Sequence, residues 1–69
     1  MEKHVIIIAL KESIKMKTGE VIQSTLQDFI KYNIDGLTFE EINNLNRLKI
    51  DDSILIATHC NYVEVVRIK

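Results

Sequence analysis

Three side chains in this 69-residue chain are suited to nucleophilic or metal chemistry: His4, His59 and Cys60. An imidazole can activate a neighbouring thiol, and both groups bind zinc. Their spacing supports neither use. Adjacent residues on a strand point to opposite faces, so His59 and Cys60 would diverge. Zinc takes four ligands, usually in closely spaced pairs, and the chain has no Cys-x-x-Cys or His-x-x-x-His. Cys60 could meet His4 across the fold, but no local motif supports that pair. The reading is therefore of no metal, no cofactor and no catalytic residue. His59, Cys60 and Asn61 read instead as a hairpin turn, with Asn61 able to adopt the left-handed conformation.

Paired carboxylates can do acid–base work or hold a divalent cation. Two pairs are present, Glu40-Glu41 and Asp51-Asp52. The first falls where a helix begins, and the helix dipole favours negative charge there. The second precedes an apolar run and reads as a solvated loop. Thr18-Gly19-Glu20 is too poor in glycine, and lacks the Lys-Ser/Thr pair, to cradle a phosphate. Lys11, Lys15 and Lys17 could share one face of a strand and touch a phosphate backbone. Three lysines on a strand also serve simply to protect an edge. Tyr32 and Tyr62 could stack on bases, but no aromatic cluster accompanies them.

Composition narrows the classes further. The formal net charge is −1 and 28% of residues are charged, with both signs mixed. That balance gives no broad attraction to nucleic acid or to an anionic membrane. The single cysteine fits a reducing compartment, and the first residues lack the pattern of a signal peptide. The apolar run from Val5 to Leu10 is far too short to span a bilayer. The expected location is the cytoplasm.

These residues need elements to position them. Val5-Ile6-Ile7-Ile8-Ala9-Leu10 is β-branched and apolar on both alternating faces, so it reads as a strand covered on both sides. Lys11-Glu12-Ser13 is a polar turn. Ile14-Lys15-Met16-Lys17 alternates as a half-buried strand should, and Gly19 permits the tight turn after it. From Val21 to Asn33 the spacing of Ile22, Leu26, Phe29, Ile30 and Asn33 favours a helix over a strand. Asp35-Gly36 ends that segment in a turn. Thr38-Phe39-Glu40-Glu41 is a capping box that opens a second helix, with Leu37 and Ile42 placed as its hydrophobic staple. Ile42, Leu45 and Leu48 make its apolar face. The chain closes in a hairpin, Ser53 to Thr58 and Tyr62 to Ile68. In the last strand Val63 and Val65 face one way, and Tyr62, Val66 and Ile68 the other.

The segment Met16-Lys17-Thr18-Gly19-Glu20-Val21-Ile22-Gln23-Ser24-Thr25-Leu26 resembles the first motif of the Sm-like small β-barrel family. Met16, Gly19, Val21 and Leu26 fit that motif. Ser24 stands where the family has glycine, and Ile30 where it has an RNA-binding aspartate. Asn33 matches the family's asparagine only with one residue deleted. Ile56-Ala57-Thr58-His59 replaces the turn of the second motif. The resemblance covers under half the chain and implies a curled sheet in which Gly19 to Leu26 is strand. It carries over no RNA-binding residue.

The sequence thus describes one α+β domain spanning residues 1–69. It is a small curved, mainly antiparallel sheet of about four strands with one or two short helices. At least two strands are apolar on both faces, yet the helices are too few to cover both. Either the sheet closes into a barrel or a second polypeptide covers it, most simply in a homodimer. The functional expectation is a non-catalytic protein-binding module, of the kind a phage or mobile element makes to regulate or inhibit a host protein. Its contacts would be Asn43, Asn44 and Arg47 on the second helix and Tyr62 and Glu64 on the last strand. The alternative is a small nucleic-acid-binding protein using Lys11, Lys15, Lys17 and Tyr32.

Overall fold

The computed structural model describes residues 2–11, 16–58 and 61–69. Its elements are β1 (His4–Ala9), β2 (Val21–Thr25), α1 (Leu26–Tyr32), a 3-10 turn (Ile34–Gly36), α2 (Phe39–Asn46), β3 (Ser53–Thr58) and β4 (Asn61–Arg67). The four strands form one open antiparallel sheet in the order β2-β1-β4-β3. The first and last strands are therefore its centre. The fold is the small α+β class that the residue pattern implies, with the sheet left open.

Strand alternation sorts side chains onto two faces. Val5, Ile7 and Ala9 of β1, Val63 and Val65 of β4, and Ile56 of β3 are buried on one of them. The register aligns these residues in rows: Ile7 lies between Ile22 and Val65, and Ala9 beside Val63, which pairs with Ile56. Leu26 and Phe29 of α1 and Leu45 of α2 pack onto this face and complete the core. Leu48, just past α2, is also buried. The Cα envelope is 17 Å in its shortest dimension. That thickness accommodates one sheet and one layer of helices, a two-layer domain.

The capping box forms as its sequence implies. Glu41 N–H donates to Thr38 Oγ1 at 3.1 Å, and Thr38 N–H donates to Glu41 Oε1 at 2.9 Å. Leu45 lies on the inner side of α2, while Asn43, Asn44 and Arg47 point outward. The far end of α2 is tied to the sheet through Arg67. Its Nη1 donates to the Leu48 carbonyl at 2.8 Å, and its backbone exchanges hydrogen bonds with Asp51 and Asp52.

Two sequence expectations are corrected. The helix expected from Val21 to Asn33 begins only at Leu26; Val21–Thr25 is an edge strand paired with β1. Thr25 decides the boundary, because its Oγ1 accepts from Asp28 N–H at 3.1 Å and caps α1. Ile22 opposes Ile7 on the sheet's inner face, so its helical spacing from Leu26 is coincidental. The strand expected at Ile14–Lys17 is also absent over its described part. Met16 and Lys17 lie in the connection ahead of the Gly19 turn, while Ile14 and Lys15 fall outside the described residues. The Lys17 N–H donates to Glu20 Oε2 at 2.9 Å, and Glu20 N–H returns to the Lys17 carbonyl at 2.9 Å. Those bonds close a turn and take the donor that a strand ladder would need. Gly19, at φ +84°, supplies the left-handed residue within it.

Candidate interaction surface

Among the described residues, no helix packs over the opposite face of the sheet. Alternation assigns it His4, Ile6 and Ile8 from β1, Val21 and Gln23 from β2, Tyr62, Glu64 and Val66 from β4, and Ser53, Leu55 and Ala57 from β3. Leu10 and Ile68 extend it at either end. Tyr62 and Val21 are half exposed, and Leu55 is 66% exposed. Ile6, Ile8 and Val66 are half-buried by one another and by neighbouring strands. An apolar strip therefore runs through the middle of the sheet, with Gln23 and Ser53 flanking Ile6 and Val66 at its edges. Glu64 brings a carboxylate into its middle, placed between Ile8 of β1 and Leu55 of β3.

Tyr62 is held at one corner of this surface. Its carbonyl accepts from Leu10 N–H at 2.9 Å, which extends the β1–β4 ladder past Ala9. The Lys11 ammonium sits 5.4 Å from the Tyr62 ring centroid. That is a cation–π distance, and it orients the ring at the rim of the apolar face.

The structure separates the partner-binding candidates into two groups. Tyr62 and Glu64 lie on the open face of the sheet. Asn43, Asn44 and Arg47 lie on the outer side of α2, with the core between them and that face. The described nucleic-acid candidates do not share a strand face. Lys11 follows β1, Lys17 is in the turn connection, Tyr32 ends α1 and Lys15 is outside the described residues. His4 is on the open face, whereas His59 and Cys60 lie outside the described residues.

The acidic pairs have local structural uses. Glu41 closes the capping box, and Glu40 stands in the first turn of α2. Asp51 takes a left-handed conformation, φ 72°, and its N–H donates to the Arg67 carbonyl at 2.8 Å. Among the described residues, no three His, Cys, Asp or Glu side chains gather as a metal site. A shallow depression is lined by Glu2, Lys3, Leu26, Gln27 and Asn46. Its lysine is engaged, with Nζ donating to the Asn46 carbonyl at the end of α2 at 2.6 Å. No helix among the described residues is long and apolar enough to cross a membrane.

Comparison with known proteins found no family, curated protein or solved structure that matches the chain. The surface must therefore be read from its own residues.

Sequence reasoning named Tyr32 but missed the exposed group to which it belongs. Tyr32 and Phe39 are each 87% exposed, at the end of α1 and the start of α2, with Ile34 half exposed between them. Phe39 occupies the first position of α2, within the capping sequence, where only its neighbours' polar roles are legible. The open-face residues had a clearer signal, the two-sided apolar pattern of β1 and β4. The pattern gives no indication of which face the helices cover.

Proposed function

We propose that this chain is a non-catalytic protein-binding module whose docking surface is the open face of the sheet. The observation that carries the reading is the uncovered row set Ile6, Ile8, Val66, Leu55 and Tyr62. Soluble monomers rarely leave a contiguous apolar surface of this kind in water, and such surfaces mark interaction sites. Aliphatic residues surround Glu64 on this face and a tyrosine stands at its rim, a residue type enriched in interfaces. A small regulator or inhibitor would act through such a face without chemistry of its own.

Native mass spectrometry of the gently purified protein tests this reading. The expected result is additional protein mass that Leu55→Lys releases while the variant keeps its folded circular dichroism spectrum. Added mass that nuclease removes would favour the nucleic-acid alternative. Protein mass that survives Leu55→Lys but is lost on combined alanine substitution of Asn43, Asn44 and Arg47 would move the docking surface to α2.

A further inference from the structure

We infer that the outer edge of β3 is a strand-pairing site, and that its occupant is β3 of a second copy of this chain, laid antiparallel about a two-fold axis at Leu55. The site is the backbone edge of the sheet and does not depend on docking over the open face.

The sheet ends at β3, and the hydrogen-bond pattern fixes which backbone groups of that strand face outward. The Arg67 N–H donates to the Asp52 carbonyl at 3.0 Å. Tyr62, on the same strand as Arg67, turns its carbonyl the other way, to the Leu10 N–H at 2.9 Å. Backbone groups alternate sides along an antiparallel pair. In the unbroken register from Ser53 to Thr58, Ile54 and Ile56 therefore bond to Val65 and Val63. Ser53, Leu55 and Ala57 direct their N–H and carbonyl groups away from the sheet. Among the described residues, no hydrogen bond reaches those groups. Each of these residues is exposed.

A row of unpaired backbone groups templates another strand, and folded proteins blunt such edges with lysine, proline, a bulge or a very short strand. β3 uses none of these. Ser53-Ile54-Leu55-Ile56-Ala57-Thr58 is six residues long, uncharged and without proline, and its register has no bulge. The opposite edge differs. β2 has five residues and runs directly into α1. The outward carbonyl of Thr25 at its end already accepts from Ser24 Oγ at 2.9 Å. β3 presents the longer and fully unengaged ladder.

That ladder specifies its occupant. Alternating donors and acceptors require an extended backbone. Leu55 lines the edge on the open face, and Ile54 and Ile56 on the inner face, so the incoming strand must be neutral and apolar on both sides. β3 itself is such a strand, and a second copy is present wherever the first is. Centred on Leu55, the Leu55 N–H donates to the Leu55 carbonyl of the second copy and the bond is returned. Ser53 exchanges the same pair of bonds with Ala57 of the second copy, and Ala57 with Ser53. Every outward donor and acceptor of both edges is then satisfied. The side chains that meet are matched and uncharged: Leu55 beside Leu55, Ile54 beside Ile56, and Ser53 beside Ala57. Asp51 and Asp52 precede the strand. Antiparallel pairing sets the acidic pairs of the two copies at opposite ends, whereas parallel pairing brings these like charges side by side. Charge thus selects the isologous two-fold arrangement.

Amide hydrogen exchange, followed by NMR on the full chain through a dilution series, tests the inference together with sedimentation equilibrium. The Ile54 and Ile56 amides should be protected at every concentration. The Leu55 and Ala57 amides should exchange freely in dilute solution and slow by roughly tenfold or more as the dimer forms. Ala57→Pro removes an outward N–H without breaking a bond to β4, and should weaken the dimer by roughly thirtyfold or more. Ala57→Val keeps that N–H and should leave the dimer intact. The thermal transition of each variant checks that it folds, and if Ala57→Pro does not, amide exchange in the wild type decides alone. A wild-type monomer overturns the inference. So does a dimer whose Leu55 and Ala57 amides exchange freely, or one that a folded Ala57→Pro leaves unchanged. Ile8→Lys alters the open face away from the β3 edge. A monomer that holds another protein in a complex released by Ile8→Lys overturns edge pairing alone. A dimer with protected Leu55 and Ala57 amides that holds no other protein sustains edge pairing while the open-face reading falls.

Discussion

Leu55→Ala should weaken the proposed docking contact of the open face without unfolding the chain. Leu55 is on an edge strand and keeps 66% of its surface in the isolated chain. Full burial of a leucine side chain contributes about 1.5–3 kcal/mol. Covering the remaining two thirds in an interface would contribute about 1–2 kcal/mol per protomer. Truncation should therefore cost about 1–2 kcal/mol of binding, or roughly 5- to 30-fold in Kd. The figure is an upper range, since alanine keeps part of the contact. The assay is isothermal dilution or sedimentation equilibrium over a concentration series, with wild type and variant in the same buffer. A Kd unchanged within twofold, with the variant folded, would refute the reasoning, because it would show Leu55 outside the docking contact.

Ile56, the next residue, should behave differently. It is 1% exposed on the inner face, so Ile56→Ala should lower the stability of the fold by about 2–5 kcal/mol through lost burial and a cavity; urea unfolding measures it. Thr38→Ala removes the Oγ1 acceptor of Glu41 N–H and should cost about 1 kcal/mol, read as a fall in Tm of about 4–8 °C. Gly19→Ala should also cost about 1–2 kcal/mol, from its left-handed backbone alone, because a Cβ there meets no atom within 4 Å. Asparagine at that position should recover part of the loss in the same thermal scan.

The sequence carried some of these features locally and left others to tertiary context. The α2 start was legible because all its determinants lie within four residues, Thr38 to Glu41, and the structure forms both reciprocal hydrogen bonds. The final strand was legible because alternation at Val63 and Val65 survives burial. The Val21–Thr25 strand was hidden, because Ile22 satisfies helical spacing with Leu26 while its actual partner is Ile7, fifteen residues earlier in the chain. Thr25 marked the boundary, yet a threonine followed three residues later by aspartate is a weaker signal than a full capping box. The two groups of candidate contacts, Tyr62 with Glu64 and Asn43 with Asn44 and Arg47, were not separable in one dimension. Which side of the sheet receives the helices depends on where Leu26, Phe29 and Leu45 dock.

The most direct test of the docking surface is the solvent exposure of individual isoleucine methyl groups, measured by NMR with a soluble paramagnetic agent. Ile6 and Ile8 lie on the open face, whereas Ile34 and Ile50 are exposed elsewhere. In the assembled protein the Ile6 and Ile8 methyl signals should be protected, and Leu55→Lys should expose them, while Ile34 and Ile50 remain broadened throughout. Ile6 and Ile8 signals that are broadened as strongly as those of Ile34 in the wild-type protein, at every concentration and with its partners present, would contradict the account.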